Sequence, residues 1–118
     1  MMKVLLVDDE EELVTALAER LGYRGIEADW ASSGNRALEL VEAKPYDVAV
    51  LDVKMPNLSG IELKKRLEQV RSGMKYIFLT GHGSEEDFKA GLAEASRYLV
   101  KPLDIESLID AMQRVVES

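Results

Sequence analysis

Four runs along the chain are apolar without a break: residues 4–7, 48–51, 76–79 and 98–100. Uninterrupted runs of this length are the pattern of strands buried on both faces, as in the middle of a parallel sheet. Ile26-Glu27-Ala28-Asp29-Trp30 alternates instead, which suits an edge strand. Between the runs lie helical repeats. Leu13, Leu17 and Leu21 fall four apart and lead to Gly22, a helix stop. Ala37, Leu38 and Val41 follow a Ser33 cap, and Pro45 closes that stretch. Leu63 and Leu67 mark a third helix that ends before Ser72 and Gly73. Ser84 followed by Glu85, Glu86 and Asp87 reads as a cap with an acidic first turn, favourable against the helix dipole. Asp104 opens a fifth helix, with Ile105, Leu108, Ile109, Met112 and either Val115 or Val116 turned inward. Five strand–helix pairs in strict alternation predict an α/β fold, a five-stranded parallel sheet with right-handed crossovers and helices on both faces.

The residues at the end of each apolar run carry the chemistry. Asp8 and Asp9 come directly after the first, Asp52 after the run at 48–51, Thr80 after the run at 76–79, and Lys101 after the last. Ligands of an open parallel sheet bind beyond the carboxyl ends of its strands, at the switch point of strand order. Four strands would therefore bring three carboxylates, a hydroxyl and an amine to one edge. At an effective dielectric of roughly 20, each pair of carboxylates about 4 Å apart costs on the order of 4 kcal/mol. Such a cluster needs a cation, and an all-oxygen set suits Mg²⁺ or Mn²⁺. Lys101 and Thr80 suit phosphoryl oxygens. Together these groups point to phosphoryl transfer onto a carboxylate. Singly each has a plainer explanation, since an Asp pair before a helix is commonly a cap and Lys-Pro a turn. Their coincidence at successive strand ends is the signal.

Composition narrows the classes. With 118 residues the chain is one domain long, and 47% apolar with 31% charged residues is ordinary for a globular protein. The net charge of -7 argues against nucleic-acid binding by this chain, because phosphate backbones demand basic patches. The absence of cysteine removes disulfides, thiolate metal sites and thiol nucleophiles, and the one histidine, His82, removes multi-histidine metal sites. Neither a membrane span nor a signal peptide is expected, so cytoplasmic placement is the expectation.

Asp8-Asp9, Leu51-Asp52-Val53-Lys54-Met55-Pro56 with Gly60, Leu79-Thr80-Gly81 and Tyr98-Leu99-Val100-Lys101-Pro102 occur in that order across essentially the whole chain. This combination closely resembles the receiver domain of two-component response regulators. The resemblance implies a single receiver domain over residues 1–118 with the flavodoxin-like strand order 2-1-3-4-5. It implies that Asp52 is the phosphoacceptor, taking its phosphoryl group from a phosphohistidine of a histidine kinase or phosphotransfer protein. It implies Mg²⁺ as cofactor, with Asp9 and Asp52 as direct ligands, Asp8 acting through water, and the backbone carbonyl of Lys54 completing the set. Lys101 would pair with phosphoryl oxygens, and its bond to Pro102 would be cis. Thr80 would hydrogen-bond the new phosphoryl group while Tyr98 rotates inward. The readout surface would lie at roughly residues 84–117, facing a downstream effector or a covalently attached output domain.

Some positions vary within the family or depart from it. Glu94 stands where a glycine is common. Lys54 and His82 occupy positions that tune dephosphorylation, and the Lys54 side chain is expected to alter access of hydrolytic water, whereas His82 reads as a loop residue. Glu10 to Glu12 read as a solvated first helical turn, and Val14 and Ala18 as a partly exposed apolar strip for a kinase helix. A Mg²⁺-dependent aspartyl-phosphate phosphohydrolase is the runner-up, but such enzymes commonly carry Asp-x-Asp, and here the acids are adjacent. A flavodoxin-like cofactor binder would want a Gly-rich phosphate loop after the first strand, which is missing. A degenerate receiver acting only by binding is disfavoured, because all five motif residues are present. The expected protein is a switch that turns over no separate substrate and holds no output domain, either standing alone or excised from a longer regulator or hybrid kinase.

Overall fold

The computed structural model describes residues 2–81 and 98–117. Its elements run β1 (Lys3–Val7), α1 (Glu11–Tyr23), β2 (Glu27–Ala31), α2 (Gly34–Ala43), β3 (Val48–Asp52), α3 (Gly60–Val70), β4 (Lys75–Thr80), β5 (Tyr98–Val100) and α4 (Ile105–Glu117). The helix anticipated from Ser84, together with His82 and Glu94, lies outside the described residues. The five strands form one parallel sheet in the order β2-β1-β3-β4-β5. The alternating segment is the edge strand β2, as its pattern required. The unbroken run at 98–100, expected to be buried on both faces, instead forms the other edge strand: among the described residues only β4 pairs with it, Tyr98 and Leu99 are half-buried and Val100 is exposed.

The apolar runs are explained by two cores, one on each face of the sheet. Alternate strand residues point to opposite faces. Leu5, Val7, Ala49, Leu51 and Phe78 pack with Val41, Leu63 and Leu67 from α2 and α3. Val4, Leu6, Val48, Val50, Ile77 and Leu79 pack with Leu17 and Leu21 of α1 and Leu108 and Met112 of α4. Because both faces are covered, no position in the central strands is free to be polar until the strand end. Among the described residues, no helix is long and apolar enough to cross a membrane.

Two helix starts were legible. The Ser33 hydroxyl accepts from the Arg36 N–H at 3.2 Å, and Asp104 Oδ1 accepts from the Ser107 N–H at 2.8 Å. The phase of α1 was not. Val14, expected as part of an exposed strip, is 1% exposed and sits in the core, whereas Leu13 is only partly buried. Successive steps of four residues drift around a helix of 3.6 residues per turn, so Val14, Leu17 and Leu21 hold the inward face better than Leu13, Leu17 and Leu21. In α4 the buried valine is Val115, with Ala111 beside it, while Val116 is exposed.

Gly60 sets how closely α3 approaches the end of β3. Its N–H donates to the Val53 carbonyl at 2.9 Å. A Cβ at this position would collide with the Asp52 carbonyl oxygen and lie 2.9 Å from the Asp52 carbonyl carbon and 3.1 Å from Val53 Cα. These are backbone atoms and cannot turn aside. Gly60→Ala is therefore expected to cost about 2 kcal/mol, lowering the melting temperature by roughly 8 °C in thermal denaturation followed by circular dichroism. An unchanged melting temperature would mean that α3 can retreat without loss.

Candidate functional site

Register brings the candidate residues together. Val7 lies opposite Leu51 in β1 and β3, so Asp8 and Asp52 follow side by side as the two strands end. Asp52 lies opposite Leu79, one residue before Thr80, and Thr80 lies opposite Val100, one residue before Lys101. Three backbone bonds hold these ends: Asp8 N–H to the Ala31 carbonyl at 3.2 Å, Val53 N–H to Leu79 at 2.9 Å, and Lys101 N–H to Thr80 at 2.8 Å. The Lys101–Pro102 bond is cis.

Carboxylate oxygens of Asp8, Asp9 and Asp52 lie within 4.8 Å of one another. Asp8 and Asp52 are buried and Asp9 is exposed. Against these three negative groups stands Lys101, whose Nζ is 2.8 Å from Asp8 Oδ2, 2.9 Å from Glu10 Oε1 and 3.7 Å from Asp52 Oδ2. Burial pushes the Asp52 carboxyl up to about 7, and the fields of Asp8 and Asp9 add to it, while Lys101 and the Lys54 backbone N–H pull the other way. Burial opposes the charge on Lys101, but its hydrogen bonds to Asp8 and Glu10, with the fields of Asp8 and Asp52, outweigh that and hold its pKa above the ordinary lysine value. The cluster is thus short of positive charge. An oxygen-only donor set with one exposed and two buried carboxylates fits a hard divalent cation, with Asp8, Asp9 and Asp52 as the groups to hold it.

Thr80 is fully buried, and its Oγ1 has no hydrogen-bond partner among the described residues. An unmade hydrogen bond at a buried hydroxyl is costly enough to need a reason. Tyr98 pairs with Phe78 across β4 and β5 and packs at the edge of the same core. That pairing places Tyr98 on the sheet face shared by Phe78 and Thr80. The Lys54 side chain is exposed beside the site, and its backbone N–H is turned to the Asp52 carboxylate.

One member of the site was missed in the sequence. Glu10, read as part of a solvated turn, reaches across 91 residues of chain to Lys101. Nothing in the pattern of apolar positions signals such a contact. The only trace is a glutamate at the residue before α1, where short capping side chains are preferred.

The response regulator receiver domain profile matches residues 4–113. A response regulator named MprA from Mycolicibacterium vanbaalenii is 33% identical over 116 residues, covering 98% of this chain and 50% of its own length. The chain spans about half the length of the curated relatives it matches. The chemotaxis protein CheY4 of Vibrio cholerae superposes with a TM-score of 0.88 at 33% identity, covering 98% of each chain. A response regulator from Burkholderia pseudomallei, solved with a phosphorylated aspartic acid, a calcium ion and citrate, gives 0.84 at 29% identity, covering 99% of this chain and 69% of its own.

Proposed function

The chain belongs to the response regulator receiver domain family, and on that premise we propose that it is a phosphoryl-accepting signalling switch with Asp52 as its acceptor. The observation that carries the reading is the meeting, at one sheet edge, of a charge-deficient carboxylate cluster, Lys101 and a buried hydroxyl with no partner among the described residues. The phosphorylated aspartate and calcium ion of the Burkholderia relative lend it support.

An Asp52 carboxylate oxygen attacks the phosphorus of a phosphohistidine. A P–O bond forms and the P–N bond breaks, its electron pair staying on the imidazole nitrogen, which then takes a proton from water. When bound by Asp8, Asp9 and Asp52, Mg²⁺ would keep Asp52 ionised and neutralise charge on the phosphoryl oxygens. Lys101, whose Nζ rests 3.7 Å from Asp52 Oδ2, donates to a phosphoryl oxygen. Thr80 donates a further hydrogen bond from its buried hydroxyl, which has no partner among the described residues. Each new contact exists only with the phosphoryl group present, so the population shifts toward the state in which Lys101 and Thr80 are engaged. The protein acts on itself alone. A histidine kinase or phosphotransfer protein donates, and an effector or a covalently attached output domain reads the surface around β5 and α4, in the cytoplasm.

Lys101→Ala is expected to bind Mg²⁺ still but to lose most of the amide chemical-shift change that beryllofluoride, a stable phosphoryl mimic, produces in the wild type. A full response in the variant would remove Lys101 from the switch.

A further inference from the structure

Glu10 occupies the N-cap of α1 without capping it: its side chain makes no cap hydrogen bond. Its backbone is held instead by Asp8, whose Oδ1 accepts the Glu10 N–H at 2.9 Å. The carboxylate is thereby left to face the end of β5, where it accepts from Lys101 Nζ at 2.9 Å. Resting Lys101 is thus drawn to Asp8 and Glu10, and stands 3.7 Å from the carboxylate it must serve. An ammonium has three donors. The partner it can surrender most cheaply is Glu10, whose side chain is 63% exposed, rather than Asp8 at 1%. An open groove of about 350 Å³ lined by Glu10, Leu13, Lys101, Pro102 and Leu103 gives the released carboxylate somewhere to go.

We propose that Glu10 is a positioning residue that acts through Lys101, holding the ammonium off Asp52 at rest and releasing it when a phosphoryl group arrives. The proposal rests on the phosphoacceptor reading above. Its consequence is a pair of opposed effects. With Glu10 holding Lys101, the carboxylates are less neutralised and attract Mg²⁺ more strongly; without it, Lys101 is free for Asp52 or for an anionic group.

The test is Glu10→Gln, with Glu12→Gln as an exposed control of equal charge change. Mg²⁺ affinity is measured by calorimetry, and beryllofluoride affinity by amide shifts at saturating Mg²⁺. For a half-exposed ion pair the effect is about two- to fivefold: Glu10→Gln binds Mg²⁺ more weakly and beryllofluoride more tightly than the control. In a Lys101→Ala background, the Mg²⁺ effect of Glu10→Gln shrinks to that of Glu12→Gln. An equal effect with and without Lys101 would make Glu10 a plain field source and overturn the proposal. So would a loss of both affinities, which is what a structural role predicts. A wild-type chain that binds neither probe overturns the phosphoacceptor reading, and this one with it.

Discussion

Asp52→Asn is expected to take up no phosphoryl group from a small acyl-phosphate donor in the presence of Mg²⁺, under conditions where the wild type gains one labile group by intact mass. The Asp52 carboxylate stands at the end of the central strand β3, in the cluster with Asp8 and Asp9 and with Lys101 Nζ 3.7 Å away. A carboxamide has nearly the same shape, so the β3 end, the Val53-to-Leu79 bond and the close approach of Gly60 are preserved. The loss is therefore chemical and complete rather than a consequence of unfolding. The wild-type adduct should disappear without Mg²⁺, because the clustered carboxylates of Asp8, Asp9 and Asp52 would then repel the phosphoryl oxygens with no divalent cation to neutralise them. A Mg²⁺-dependent adduct on the variant would place the acceptor elsewhere.

In metal-free buffer the same substitution should stabilise the fold, and increasingly so as pH rises. The folded protein holds the Asp52 proton up to about pH 7, while an unfolded carboxyl releases it near the ordinary value of 3.8. Between those values the folded state binds the extra proton, so wild-type stability is complete below the lower one and falls as pH climbs through the upper. The gap between the two values corresponds to at most about 4 kcal/mol. Lys101, held above its ordinary value, stays protonated throughout and adds no slope in this window. Asparagine has no proton to lose. Urea unfolding in chelator at pH 4, 6 and 8 should show the two proteins nearly equal at the lowest pH, with the variant ahead by a few kcal/mol at the highest. Parallel profiles would show that the charge on Asp52 is relieved by something other than its proton. Added Mg²⁺ should then favour the wild type, since it supplies what the proton supplied.

Much of the fold was legible because each face of each strand demanded a core. Uninterrupted apolar residues in β1, β3 and β4 require helices on both sides, and alternation in β2 requires an edge. The site was legible for a related reason: a run that ends in Asp52, Thr80 or Lys101 ends where the cores end, so polar side chains gather at the carboxyl edge. Phase within a helix was harder to read. Leu13 and Val14 are both apolar neighbours, and only the packing of α1 on the sheet chose Val14 for the interior.

The amino-acid sequence by itself determined the alternation of strands and helices and the five motif residues with their order. Those are local matters of residue type and spacing, set by backbone sterics and by the two-residue period of a strand. The tertiary structure alone decided that Lys101 rests between Asp8 and Glu10, 3.7 Å from Asp52, and that burial lifts the Asp52 carboxyl to about 7. Such properties belong to charges brought together from strand ends far apart in the chain, and their energies depend on distances and solvent exclusion that exist only once the sheet has formed.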